Sequence, residues 1–170
     1  MSDTPDTDAC TDAGQPGPEH ERLKKFEGVW HAEVSIYFNG PDAEPMRSTG
    51  TMTNTSILGG RFIQHDYPGD GDEPFFGVGH FGFNRSSGKY QGTWLDIMST
   101  EITTDEGDYD EASNTYNMCG TVFHPALGRT ITKRSAVRVE SDNRHVMEQF
   151  FPGPDGKDVR MISIIYTRKK

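Results

Sequence analysis

Long hydrophobic runs are missing from this chain. No apolar stretch approaches the roughly 20 residues that a membrane-spanning helix requires, and the mean hydropathy is −0.72. Positive charge is also scarce: 17 Lys and Arg stand against 26 Asp and Glu among 170 residues, a net charge of −9. That balance disfavours nucleic acid and an anionic membrane surface as partners. Only two cysteines occur, Cys10 in an acidic leader and Cys119 in a strand-like run. Both are read as free thiols in a reducing compartment. The N-terminus, MSDTPDTDACTDAGQPGPE, has neither the basic segment nor the apolar core of a secretory signal. No hydrophobic stretch precedes Cys10 to support a lipid anchor. The expected location is the cytoplasm.

Signatures of catalysis and of metal binding are missing too. There is no Gly-x-Ser-x-Gly and no Cys–His arrangement to nominate a nucleophile, and no pair of His or Cys at zinc-ligand spacing. Two acidic clusters stand out, Asp105, Glu106, Asp108, Asp110 and Glu111, and Asp70, Asp72 and Glu73. Neither has the alternating oxygens, mid-loop glycine and terminal Glu of a calcium loop, and both read as solvated hairpin tips. Gly77-x-Gly79-x-x-Gly82 matches a dinucleotide-binding spacing but lies inside a strand pattern rather than before a helix. No metal site and no catalytic residue is therefore assigned, and a non-catalytic protein is the leading expectation.

What is present amounts to one domain. Residues 1–18 hold four acids (Asp3, Asp6, Asp8, Asp12) and no base, the composition of a disordered acidic tail. The folded domain is placed at residues 19–170, which keep −5 of the net charge. Pro18–Glu27 reads as one helix, with Pro at its first position, Glu19 and Glu21 near its positive end and Lys24 and Lys25 near its negative end. Leu23 and Phe26 share a face, and Gly28 can end the helix.

From Gly28 onward the hydrophobic period becomes two. Trp30, Ala32, Val34, Ile36 and Phe38 alternate with His31, Glu33, Ser35 and Tyr37. Turn signals at Asn39–Asp42, Leu58–Gly60, Pro68–Pro74, Asn84–Gly88, Ala126–Gly128, Ser141–Asn143 and Pro152–Asp158 divide the rest. They leave strands near 47–57, 61–67, 75–83, 89–98, 99–106, 115–123, 129–140, 144–151 and 159–168. About ten short strands joined by tight turns predict an all-β, up-and-down antiparallel barrel, with the helix plugging one end. Ten strands make a wider barrel than the eight whose side chains just fill the interior, so a cavity is expected, a filled core being the alternative.

Several residues then carry a likeness. The helix, Gly28-x-Trp30, Leu58-Gly59-Gly60-Arg61-Phe62, Gly77-x-Gly79 with Gly82-Phe83, Tyr90-x-x-x-Trp94-x-Asp96 and a terminal Tyr166-x-Arg168 resemble, over residues 19–168, a bacterial family called domain of unknown function 1579. That family is similar in architecture to the calycins: lipocalins, fatty-acid-binding proteins and nitrobindin-like haem proteins. The resemblance implies a small apolar or amphipathic molecule held inside the barrel. It also implies that Trp30 packs beneath Arg168, a cation over an indole face closing one end.

The candidate ligand-binding residues are Phe62, Phe81, Tyr90, Trp94, Asp96, His80 and His145. Tyr90, Trp94 and Asp96 share one strand face; an inward Asp96 could anchor a ligand, while an Asp bonded to a turn backbone is the bland alternative. His65, His80 and His145 lie within strands and could face inward, His20 and His31 read as solvated, and His124 falls in a turn. Two alternatives to a ligand carrier stay open. One is a haem protein or an enzyme using an inward histidine or Asp96. The other is a non-catalytic interaction scaffold, for instance a homodimer.

Overall fold

The computed structural model describes residues 13–38, 40, 42–68, 75–153 and 155–170. Cys10, the four acids of the leader and the cluster Asp70, Asp72 and Glu73 lie outside the described residues.

The fold is all-β. A short helix, α1 (Pro18–Leu23), runs through a 3-10 turn (Lys24–Phe26) into ten strands: β1 (Gly28–Ile36), β2 (Met46–Ile57), β3 (Phe62–Pro68), β4 (Phe76–Asn84), β5 (Lys89–Asp96), β6 (Thr103–Asp110), β7 (Thr115–His124), β8 (Arg129–Ser141), β9 (Arg144–Pro152) and β10 (Asp158–Arg168). Each strand pairs antiparallel with its sequence neighbours, and β1 closes on β10 with Trp30 opposite Arg168 and Ile36 opposite Ile162. Closure gives every strand a neighbour on both sides, although β2 meets β3 only over Thr53–Ile57.

Most strands lie within two residues of their expected bounds. β6 does not. Residues 99–102 precede the strand, and residues 107–110, read as part of an acidic turn, continue it. Glu106, Asp108 and Asp110 point to solvent while Asp105, Gly107 and Tyr109 alternate inward. The composition is poor for a strand, but the alternation and two paired neighbours override it.

The helix is also shorter than expected. It packs Leu23 and Phe26, 1% and 3% exposed, into the barrel mouth. His20, expected to be solvated, is buried: its Nδ1 accepts the Gly17 N–H at 2.9 Å and its ring meets Phe83 edge-on. The imidazole completes the helix N-terminus, and so gains a partner that compensates its burial.

This helical segment closes one end. Phe26, Phe81, Tyr90, Tyr109 and Tyr116 pack ring against ring beneath it, with Ile63, Met118 and Val139. The Trp30 Nε1–H and the Asn54 Nδ2–H both donate to the Phe26 carbonyl, at 2.7 and 2.8 Å. Arg168 lies 4.1 Å over the Trp30 ring and donates to the carbonyls of Lys25, Glu27 and Asp142. It thus satisfies acceptors that the end of the helical turn leaves free. Gly28, at φ +121°, leaves room for this, since a Cβ there would stand 2.6 Å from the Arg168 Nη1. At the opposite end the described residues 37–38, 40, 42–45, 97–102, 125–128, 153 and 155–157 form no such plug.

Candidate functional site

The strand register assigns every side chain to one face. Trp94 and Asp96 do face inward, but they engage each other: the Trp94 Nε1–H donates to Asp96 Oδ2 and the Met98 N–H to Oδ1, both at 2.9 Å. Both carboxylate oxygens are therefore occupied by their own strand and turn, at the open rim. The Trp94 ring covers Gly77 and Gly79, where any Cβ would collide with it. Phe81 and Tyr90 point inward into the packed closed end, and Arg22 Nη1 donates to the Tyr90 hydroxyl at 2.9 Å.

Two candidates lie on the wrong face. Phe62 is 39% exposed on the outside, its ring laid over Gly82. His80 is also outward, with its Nδ1 3.2 Å from Thr93 Oγ1. The reason is parity: Ile63 on β3, and Gly79 and Phe81 on β4, take the inward positions, so their neighbours cannot. Phe38, expected on β1, stands in the following turn and is 67% exposed.

His145 faces inward but is packed solid. It stacks on Tyr166 at 4.5 Å and meets Trp30 and Phe26 edge-on. Burial, with smaller contributions from His65 and Arg168, lowers its pKa to about 3. His65 differs. Asn54 Nδ2 is committed to the Phe26 carbonyl, so its Oδ1 faces His65 Nδ1 at 2.7 Å and places the proton there. Burial, with a contribution from His80, lowers the His65 pKa to about 4 although Asp66 opposes it, and the ring is neutral at pH 7. Nε2 is thereby left as an acceptor on an inward-facing residue that keeps accessible surface.

The open half of the interior keeps accessible surface, although Tyr67, Phe75 and Trp94 pack into it. Val34, Ile36, Met147, Ile162 and Ile164 face inward on β1, β9 and β10 yet remain only partly buried. Across from this apolar wall lies a polar one. Asp105 on β6, Gly120 on β7 and Lys133 on β8 stand side by side in register, and Lys133 Nζ sits 3.0 Å from Asp105 Oδ2, with side-chain exposures of 7% and 17%. Gly120 makes this reach across β7 feasible, because the Asp105 carboxylate fills the space a Cβ there would need. One inward position along β8 lies Ser135, paired with Gln149 on β9. Asp105 Oδ1 and Ser135 Oγ are buried without a hydrogen-bond partner.

These residues escaped the sequence reading. Asp105 was expected at a solvated tip, and the structure turns it inward because Gly107 and Tyr109 set the strand's alternation. Lys133 was not singled out, yet it shares parity with Ile131, Val137 and Val139, a lysine in an otherwise core-facing row. Among the described residues no group of three or more His, Cys, Asp or Glu could hold a metal ion. Cys119 is free and exposed on β7.

Outside the interior, a concavity of about 590 Å³ runs along β1, β2 and β10, taking in inward-facing Val34 and Ser48 beside outward-facing Glu33 and Arg47. A smaller one, about 320 Å³, lies at the closed end between residues 13–15 and the surface of Arg61, Phe62 and Arg85. There Arg61 donates to the Gly14 carbonyl at 2.8 Å.

The family described as Protein of unknown function (DUF1579) matches residues 15–168. The chain belongs to the DUF1579 family. No curated protein matches this DUF1579 member in sequence. Among solved structures, Rv2717c from M. tuberculosis superposes with a TM-score of 0.67 at 11% identity, over 92% of this chain and 100% of that one. The S-type phycobiliprotein lyase CPES from Guillardia theta gives 0.58 at 12% identity, over 94% and 97%. At these identities the likeness shows the barrel fold alone. No helix among the described residues is long and apolar enough to cross a membrane.

Proposed function

We propose that this DUF1579 protein binds a small amphipathic molecule in the open half of its barrel. The observation that carries the reading is the two-sided lining: partly exposed Val34, Ile36, Met147, Ile162 and Ile164 face the Asp105–Lys133 pair, Ser135 and Gln149. A concave, mainly apolar space with a few placed polar groups is the common form of a small-molecule site. The mouth supports it. Phe38, Phe76, Ile97, Met98, Ile102 and Phe123 sit at that end, each half or more exposed, an apolar rim through which a ligand of low polarity can enter. The phycobiliprotein lyase likeness is one of fold, and its substrate is not carried over. The test is native mass spectrometry of protein purified from its own host, with Nile red titration of the stripped protein. A retained small molecule and saturable dye binding, weakened about tenfold or more by Ile164→Trp, are expected. An empty protein that binds no dye would refute it.

A haem reading narrows to one residue. His80 lies outside and His145 is enclosed by Trp30, Phe26 and Tyr166, which leaves His65, held through Nδ1 with Nε2 free, the arrangement of a ligating histidine. A Soret band on haem titration that His65→Ala abolishes would establish it, and its absence in the wild type would remove it.

A further inference from the structure

The barrel holds an ion pair where a carrier of purely apolar cargo would need none. Lys133 Nζ forms an ion pair with Asp105 Oδ2 at 3.0 Å, and no hydrogen bond is found for Asp105 Oδ1 or for the Ser135 hydroxyl, both buried. A buried acceptor without a donor is destabilising, and more so when it is charged. A charge pair held in a low-dielectric wall seldom repays its desolvation unless further hydrogen bonds complete it. The barrel wall therefore carries a polar socket in which Asp105 Oδ1 and the Ser135 hydroxyl have no partner within the protein.

We propose that this socket recognises an uncharged head group that presents an N–H donor beside a carbonyl acceptor, a primary amide or lactam, on an apolar tail. The proposal rests on the cavity-binding reading above. The ammonium has N–H donors to spare beside its ion pair with Asp105 and can give one to the ligand's carbonyl. The carboxylate needs a donor, and a partial turn about its soft terminal torsion swings Oδ1 off Gly120, where it now lies, towards the ligand's N–H while Oδ2 stays within reach of Lys133.

The pair also decides against charged ligands. A carboxylate ligand would bring two acceptors against Asp105 and compete with it for Lys133, stranding a buried negative charge. An ammonium ligand would meet Lys133 in the same way. Beside the socket there is room: Gly92 faces Asp105 across β5–β6, and a Cβ there would find nothing closer than 3.7 Å.

The experiment compares three probes of matched tail, dodecanamide, N,N-dimethyldodecanamide and dodecanoate, by Nile red displacement at pH 7. The wild type is expected to bind dodecanamide at least about tenfold more tightly than either of the others. The double variant Asp105→Leu/Lys133→Met removes the pair without leaving a lone buried charge, and should bind all three within about threefold of one another. Gly92→Leu, which crowds the socket but keeps its charges, should weaken dodecanamide selectively. Equal binding of the three probes by the wild type, or a preference for dodecanoate, overturns the socket while the cavity reading stands. Failure of the folded wild type to bind any probe overturns both. The wild-type comparison decides even if a variant does not fold.

Discussion

His145 offers the sharpest test of how the closed end is built. Its imidazole is 5% exposed, stacked on Tyr166 at an interplanar angle of 20° and bordered by the edges of Trp30 and Phe26. That enclosure lowers its pKa to about 3, against an ordinary value of 6.5. In the unfolded chain the ring takes up a proton below about pH 6.5; in the fold it stays neutral until about pH 3. The contribution to stability is thus complete above pH 6.5 and is lost progressively as pH falls towards 3, at about 1.4 kcal/mol per pH unit. At about pH 4.5 the loss is about 2–3 kcal/mol. His145→Phe keeps a flat ring of similar size and removes the titration. Any packing difference it introduces is constant with pH. Urea unfolding at several pH values between about 7.5 and 4.5 should show the variant gaining about 2–3 kcal/mol on the wild type across that range. Parallel stability curves would refute the argument, because they would mean that His145 is solvated or charged in the fold.

Three further outcomes follow from the same geometry. Arg168→Ala removes three hydrogen bonds to backbone carbonyls and the cation over Trp30, and should cost about 2–4 kcal/mol in urea unfolding; Arg168→Lys, which cannot span all three carbonyls, should recover less than half. Gly77→Ala drives a methyl group into the Trp94 ring, with an expected loss of about 1–3 kcal/mol and a red-shifted Trp94 emission in a Trp30→Phe background. Asp96→Asn keeps an acceptor for the Trp94 Nε1–H, and Nile red affinity should stay within about twofold of the wild type; a larger loss would move Asp96 from the rim structure into the ligand site.

The barrel was legible because its signals are local. Trp30, Ala32, Val34 and Ile36 alternate with polar residues within one strand, and turn residues recur where strands end. The single misplaced strand, β6, fails for a physical reason. Thr103–Asp110 contains one aromatic and no aliphatic residue, so no local preference for strand exists, and pairing with β5 and β7 must impose it. The candidate site was less legible, because it depends on register between distant strands. Asp105 and Lys133 meet only because β7 places Gly120 between them. His80 and Phe62 carry ligand-like chemistry in composition, yet one step of parity puts them outside. A stricter reading of β8 would have found Lys133, since a lysine in the row Ile131, Ser135, Val137 and Val139 is a charge assigned to the core.

The two ends of the barrel divide its tasks. At the closed end several polar groups on core residues are paired: the Trp30 Nε1–H and the Asn54 Nδ2–H donate to the Phe26 carbonyl, Arg22 donates to the Tyr90 hydroxyl, and the Tyr109 hydroxyl donates to Asn114. Those contacts favour one arrangement of the packed rings. In the open half the pattern inverts: apolar inward residues keep accessible surface, and the unpartnered atoms Asp105 Oδ1 and Ser135 Oγ lie on the polar wall. Packing for stability alone would favour the reverse, a filled interior with an apolar pair in place of Asp105 and Lys133. If the open half exists to receive a ligand, Asp105→Leu/Lys133→Met should leave the protein as stable as the wild type or more so, while its discrimination among head groups disappears. A barrel maintained only as a scaffold would show the stability change with no binding property to lose.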